Sequence, residues 1–194
     1  LTTLQGYTEL YARGALDPPD AVADAMRRIH SEAARMAGLV DNLLAVSTAD
    51  AAPLALSSVD LGALLGDVAA DLRAGAPDRS VSAVVEPGLS VTADASRLQQ
   101  ALLALGTNAV RHGAGPIRLA ARADAGGVRI EVSDAGGGIP EAEQAAIFEP
   151  FHRASPGTRG SGLGLPLVAA IARAHGGRVG VRSAPGAGTT FWLT

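Results

Sequence analysis

Cysteine is absent from the 194 residues, and so is lysine: all 16 basic residues are arginine. Without cysteine there are no disulfides, no zinc–cysteine centres and no thiol nucleophile. Without lysine there is no Walker-type phosphate loop, no kinase fold built on a strand lysine, and no Schiff-base chemistry. Aromatic residues make up only 3% of the chain. No stretch approaches the roughly 18 consecutive apolar residues of a membrane span, and no signal-peptide pattern is visible. The net charge of −3 leaves no electrostatic footprint for a polyanion, which argues against nucleic acid as a partner. The four histidines are scattered without metal-ligand spacing. What is abundant is small: 24 glycines, and an apolar fraction of 47% that is largely alanine. This composition supports one large domain, or a small domain with an appendage. The chain opens on Leu1, not Met, inside a helical pattern, and is expected to be a piece of a longer protein.

Residues 1–50 read as an antiparallel helical hairpin broken at Asp17-Pro18-Pro19-Asp20. In its second arm Val22, Met26, Ile29, Ala33, Met36, Val40 and Leu43 recur at alternating spacings of 4 and 3, a coiled-coil seam. Arg28, Glu32 and Arg35 lie on the opposite face, spaced to pair. Residues 51–56 read as a linker. Residues 57–194 then alternate strands and helices. The first strand is expected within 54–59, with Asp60 capping a helix over 61–73. Strands over 81–85 and 89–93 flank a Pro87-Gly88 turn. Asp94 or Ser96 starts an apolar helix at about 97–112. Strands over 117–123 and 128–133 form a hairpin across Asp124-Ala-Gly-Gly127. A helix is expected after Pro140 and another over 162–174, stopped by His175-Gly176-Gly177. A final hairpin takes 178–183 and 189–193. This order predicts an α+β fold, a two-layer sandwich with one helical layer on a mixed sheet.

Two glycine clusters carry the chemistry. Asp134-Ala-Gly136-Gly137-Gly138-Ile139-Pro140 ends an alternating strand whose Val128, Ile130 and Val132 face inward. The Asp134 carboxylate therefore faces a cavity, where it needs hydrogen-bond donors. An exocyclic amine such as that of adenine is a suitable donor, and Gly136 and Gly138 let backbone approach a flat ring. A tight turn with a helix-capping Asp is the equally open alternative. Gly160-Ser-Gly162-Leu163-Gly164-Leu165 precedes a helix, where bare amides attract phosphate; a plain flexible loop is the alternative. Neither cluster has the dinucleotide spacing. Asn108 interrupts an apolar helix face. It suits either a Mg²⁺ shell completed by phosphate oxygens or a hydrogen bond within the core. Arg111, one turn on, suits phosphate or solvent. The segment 151–160 reads as a lid carrying Arg153 and Arg159, with Phe148 and Phe151 at its base or in the core.

Taken together, Asn108, Asp134-x-Gly-x-Gly-Ile-Pro, Phe148/Phe151, Gly160-x-Gly-Leu-Gly-Leu and Gly188-Thr189-Thr-Phe resemble the ATP-binding domain of bacterial sensor histidine kinases. That domain belongs to the class shared with Hsp90, gyrase B and MutL, whose fold is of the Bergerat type. The likeness covers residues 57–194. Residues 1–50 resemble the family's dimerisation and phosphotransfer hairpin, with Leu1-Thr-Thr-Leu-Gln-Gly matching the stretch just after its phosphoacceptor box.

The resemblance implies ATP and Mg²⁺ as ligands. It makes Asn108 the metal ligand and places Arg111 and His112 on the phosphate tail. Asp134 would take the adenine amine, with Thr189 helping through water. Gly136, Gly138 and Ile139 would shape the adenine pocket. Arg153, Gly160, Gly162, Leu163, Gly164 and Leu165 would line the lid and phosphate side. It also implies a homodimer, a response-regulator partner, and a cytoplasmic portion of a membrane-bound parent. Two departures stand out: Ala104 replaces a frequent family Asn, and the phosphoacceptor His would fall six positions before Leu1. None of His30, His112, His152 and His175 sits in such a box. An anti-sigma-type serine kinase, a MutL-like ATPase switch and a degenerate scaffold are the competing readings. The heptad hairpin counts against the first two, and the intact glycine boxes against the third.

Overall fold

The computed structural model describes residues 22–30, 33, 53–125, 127–152 and 162–194. The chain divides into two units, Leu1–Leu44 and Ala45–Thr194. In the first, residues 22–30 are helical. Ala25 is buried, whereas Met26 of the expected seam is 50% exposed. Arg28 pairs with Asp24 at 2.9 Å, one turn back, and Arg27 reaches the same carboxylate at 3.3 Å. His30 is exposed. The first hairpin arm, and Glu32, Arg35, Met36, Val40 and Leu43 of the second, lie outside the described residues.

The second unit follows the order β1 (Ser57–Asp60), α1 (Leu61–Gly75), β2 (Val81–Val85), β3 (Ser90–Ala93), α2 (Ala95–His112), β4 (Ile117–Asp124), β5 (Gly127–Asp134), two 3₁₀ turns, α3 (Gly164–Ala174), β6 (Val179–Ser183) and β7 (Thr189–Leu193). A five-stranded sheet runs β2-β4-β5-β7-β6, and β1 with β3 forms a separate pair. Only β2–β4 is parallel; β4–β5, β5–β7 and β6–β7 are antiparallel. The helices supply the second layer. Leu61, Leu65, Val68, Leu102, Leu105, Leu167 and Ile171 bury against Ile117, Leu119, Val132 and Phe191 of the sheet. The expected α+β sandwich is thus the one observed. On the sheet's other face the Trp192 indole lies across Gly180, with the Arg129 guanidinium 4.3 Å from its ring centre.

Local chemistry accounts for the element ends. Asp60 caps α1 by accepting from the Ala63 amide at 3.0 Å. The buried positions of α1 (Leu61, Leu64, Leu65, Val68, Ala69 and Leu72) form one helical stripe. At the crossing of α1 and α2, a Cβ on Gly106 would overlap the Leu72 side chain, so this glycine sets how closely the two helices pack. The β4–β5 hairpin closes with Asp124 opposite Gly127, as the turn residues require. Gly176, at φ +75°, ends α3.

Two expectations fail. The strands flanking Pro87-Gly88 do not pair with each other. The turn forms, with the Leu89 amide on the Glu86 carbonyl at 3.3 Å, but β2 joins β4 and β3 joins β1. Glu86 extends the β2–β4 connection: its amide donates to the Ala121 carbonyl at 3.1 Å, and its carboxylate accepts from the Ala123 amide at 2.8 Å. Long-range partners thereby outcompete the local hairpin. After Pro140 there is no α-helix, only 3₁₀ turns at Glu141–Glu143 and Ala146–Phe148. The Gln144 side chain ties this segment to the Ile139 and Ser183 carbonyls, and Pro150 disfavours helix at the residue before it.

Asp94, 7% exposed, joins several elements. One carboxylate oxygen accepts from Ser96 Oγ at 2.7 Å and from the Arg97 amide, capping α2; the other accepts from the Ala55 amide at 3.1 Å. The Asp94 amide donates to His175 Nε2 at 3.0 Å. The Ser96 hydroxyl and then the Arg97 amide pull the carboxyl from 3.8 down to about 2. Because the folded pKa is depressed, this stabilisation is present above the ordinary value and is lost as pH falls through about 2. Asp94→Asn keeps a good cap but removes the charge. It is expected to cost roughly 1–2 kcal/mol at neutral pH. Thermal melts should show the gap to the unaltered chain closing between pH 4 and pH 2; a gap independent of pH would contradict this.

Candidate functional site

Three pieces of backbone meet around Asp134: the C-terminal end of α2, the turn after β5, and the β6–β7 connection. Asp134 ends β5 directly opposite Thr189 on β7, which places their Cβ atoms about 5 Å apart. Its Oδ1 accepts from the Gly136 amide at 2.7 Å. A Cβ on Gly113 would sit 2.5 Å from the Asp134 Cγ, and one on Gly136 would sit 2.7 Å from Oδ1 and 3.0 Å from the His112 carbonyl. Glycine is thus required at both positions for the end of α2 to lie against the carboxylate. The Ala135 amide bonds the Ala114 carbonyl at 3.0 Å and locks this juxtaposition.

Burial pushes the Asp134 carboxyl up from 3.8, opposed by the Gly136 amide, Arg79 and His112. Partial desolvation of the ring at the helix end, and after it Arg111, pushes His112 down from 6.5, while Asp134 opposes the shift. His112 is therefore neutral near pH 7. A half-buried carboxylate held against the cost of desolvation, beside glycine-lined backbone, is a candidate binding position, and its bond to the Gly136 amide also fits a turn-capping Asp.

The turn's far side is clamped to the last two strands. The Gly186 amide donates to the Gly137 carbonyl at 2.8 Å. The Ile139 amide donates to Ser183 Oγ at 2.9 Å. Gly138 has φ +76°, and a Cβ there would overlap the Ala184 carbonyl. Gly188, at φ +78°, lies against the Asp134 carbonyl in the same way. Thr189 is 7% exposed and contacts Ser183 Oγ at 3.0 Å.

Asn108 stands on α2 about 6 Å along the axis before His112. Its side chain is half-buried, and among the described residues its amide has no hydrogen-bond partner. The alternative of an Asn bonded within the core is not what is found. Arg111 and His112 are exposed at the helix end. Helix α3 packs beside α2 and begins at Gly164, two residues later than expected, with no side-chain cap on its first turn. Leu163 is buried, while Gly164 and Leu165 are half-buried. Gly162, at φ +68°, accepts the Phe151 amide at 3.0 Å, bringing positions 151 and 162 together. Phe148 packs edge-on against Phe191 with ring centres 6.3 Å apart. Phe151, by contrast, is 62% exposed at φ +64° and is no core residue. Arg153, Arg159 and Gly160 lie outside the described residues. Among the described residues there is no cluster of three acidic or imidazole side chains able to hold a metal alone.

Four contributors escape the sequence reading: Arg79, Gly113, Gln144 and Ser183. Arg79 spreads its guanidinium over the end of α2, donating to the carbonyls of Gly115 at 2.9 Å, Gly113 at 3.2 Å, Val110 at 3.3 Å and Ala109 at 3.4 Å. It satisfies carbonyls that the helix leaves open. Lying in the short connection before β2, it carries no motif that would have exposed it.

Residues 93–194 match the family described as histidine kinase-, DNA gyrase B-, and HSP90-like ATPase. The chain is 38% identical to the probable sensor histidine kinase TcrY of Mycobacterium tuberculosis, over 96% of this chain and 41% of that protein. Among solved structures, full-length ShkA in complex with AMPPNP superposes with a TM-score of 0.80 at 34% identity, covering 91% of this chain and 38% of ShkA. The ATP-binding domain of PrrB from Mycobacterium tuberculosis superposes with a TM-score of 0.61 at 34% identity, over 71% of this chain and 94% of that domain. The chain spans less than half the length of the curated relatives it matches, 41% of TcrY and 44% of a Bacillus subtilis sensor kinase. By this match over residues 93–194 and this likeness to TcrY, the chain belongs to the family of histidine kinase-, DNA gyrase B-, and HSP90-like ATPases, among the sensor histidine kinases.

Proposed function

We propose that the Asp134 pocket binds the adenine of Mg·ATP, and that in the longer protein the γ-phosphoryl passes to a histidine on the helical hairpin and then to an aspartate of a response regulator. The observation that carries this reading is the half-buried Asp134 carboxylate beside Gly113, Gly136 and Thr189, an acceptor suited to a hydrogen-bond donor. The AMPPNP complex of ShkA supports it from a relative.

Asp134 accepts from the 6-amino group, and Thr189 assists through water. Gly136, Gly138 and Ile139 form the wall against the ring. Arg111 and neutral His112 meet the phosphate tail at the end of α2. Gly162, Leu163, Gly164 and Leu165 place the start of α3 on the phosphate side, where a helix N-terminus favours an anion, with Arg153 and Gly160 assigned to the same side. The unpartnered amide of Asn108 fits Mg²⁺, a hard ion that takes one or two protein oxygens and completes its shell with phosphate and water. The chemistry Mg²⁺ supplies when bound is neutralisation of phosphate charge. Catalysis by the chain's own residues is then positioning and charge complementarity.

The hairpin, with its half-exposed Met26, is assigned to homodimerisation, and the segment to the cytoplasmic side of a membrane-bound parent. No helix among the described residues is long and apolar enough to cross a membrane.

Calorimetric titration with ATP and Mg²⁺ is expected to show one saturable site; no binding would sink the reading. Asn108→Asp is expected to weaken the Mg²⁺-dependent affinity at least about tenfold, or ~1.4 kcal/mol, and unchanged affinity would count against the metal role. Incubation of the 194-residue chain with labelled ATP should leave it unlabelled, since the acceptor histidine is assigned to a position before Leu1. An acid-labile, base-stable phosphoprotein would overturn that assignment.

A further inference from the structure

We infer that Ser183, outside the ring-binding pocket itself, sets base specificity by fixing the direction of the Thr189 hydroxyl. The inference rests on the ATP reading above and deepens it.

The hydrogen bonds determine the direction. Ser183 Oγ donates to the Gly188 carbonyl at 2.7 Å. A serine hydroxyl has one proton, and this bond uses it. The same oxygen accepts from the Ile139 amide at 2.9 Å. Its 3.0 Å contact with Thr189 Oγ1 therefore has threonine as the donor. Thr189, 7% exposed, is left with lone pairs alone to show elsewhere. Directly across the strand pair, Asp134 also shows lone pairs: Oδ1 is occupied by the Gly136 amide, and among the described residues Oδ2 has no partner. The inner end of the pocket is thus an array of acceptors. It suits a 6-amino purine, which donates, directly or through a water. It disfavours a 6-oxo purine, whose oxygen would face acceptors at close range.

Ser183 acts here as a positioning residue. Its three bonds join β6, the Asp134–Pro140 turn and the start of β7. No single-residue signal announces it, because serine at a strand end before Ala-Pro-Gly-Ala-Gly reads as ordinary turn chemistry.

The test compares ATP with inosine triphosphate, which differs by the 6-oxo group and its ring N–H. Dissociation constants are measured by calorimetry with Mg²⁺ on the unaltered chain, on Ser183→Ala and on Ser183→Thr. The unaltered chain is expected to prefer ATP by about tenfold or more. Ser183→Ala frees the Thr189 proton to turn toward the ligand, and the preference should shrink by about tenfold, mainly through tighter relative binding of inosine triphosphate. Ser183→Thr keeps a hydroxyl and should restore the preference.

A purely structural Ser183 would weaken both nucleotides in parallel and leave their ratio unchanged, which would overturn the inference. Equal affinity of the unaltered chain for both nucleotides would overturn it as well, whether or not Ser183→Ala folds. Failure of the unaltered chain to bind ATP at all would instead defeat the ATP reading. Preferential ATP binding with an unchanged ratio in Ser183→Ala defeats only the role given to Ser183.

Discussion

Asp134→Asn is expected to reduce ATP affinity by about 10- to 100-fold, the worth of a hydrogen bond to a charged acceptor, while the domain stays folded. The substitution is nearly isosteric. Its remaining amide oxygen can still accept from the Gly136 amide, which takes up Oδ1 in the native turn. Folding should even gain slightly, because burial already pushes the native carboxyl up from 3.8 and that cost disappears with the charge. Binding loses twice. The strong acceptor is gone, and an amide N–H₂ now points at the amine it should receive. Calorimetry with ATP, paired with a thermal melt, separates the two effects. Reduced affinity with an equal or higher melting temperature is the expected pair. Unchanged affinity would remove Asp134 from the adenine contact.

Gly138→Ala is expected to be the most damaging single change in the turn, costing about 3–5 kcal/mol of domain stability. Two penalties coincide. A φ of +76° disfavours any side chain by about 1–2 kcal/mol. The added Cβ would also overlap the Ala184 carbonyl, a backbone atom that cannot rotate aside. Relief requires moving the turn away from β6, which would break the Gly186–Gly137 and Ile139–Ser183 hydrogen bonds. ATP binding should fail with it. Gly137→Ala, one residue earlier, is the control. A Cβ there meets nothing within 4 Å, so its unfolding midpoint in urea should stay within about 0.5–1 kcal/mol of the native value. Similar effects at both glycines would mean that the clamp against β6 is not what the turn requires.

Much of this domain was legible because its signals are local. Asp60 announced its helix as a cap and does cap it, and of the two candidates Asp94 and Ser96 for the next helix Asp94 is the cap. Asp124 to Gly127 announced a hairpin and forms it. The alternation of Ile130 and Val132 placed Asp134 on the inner face, where Thr189 lies opposite. Failures came where a distant partner outbid a nearby one. Pro87-Gly88 is a genuine turn, but the parallel ladder to β4 and the antiparallel ladder to β1 take the two strands apart. The segment after Pro140 has helical composition, but Gln144 tethers it to β6, leaving only 3₁₀ turns.

The same division runs through the site. Composition alone removed thiol, Schiff-base and P-loop chemistry, since an absent residue type excludes a mechanism wherever the chain folds. Spacing alone nominated Asn108, Asp134 and the glycine boxes, because a turn that needs glycine shows it in order along the chain. Only the tertiary structure could reveal why the pocket has its shape and hydrogen-bonding character. Arg79 reaches across to the end of α2, and Ser183 orients Thr189 while holding Ile139. Gly113 is required because of what lies beside it, not because of its own turn, and Gly188 both by its φ of +78° and by the Asp134 carbonyl beside it. Those contacts join residues 34 to 44 positions apart in the Arg79–Gly113 and Ile139–Ser183 cases. A hydrogen bond has direction and a close approach has distance, and neither is defined until folding brings both partners together.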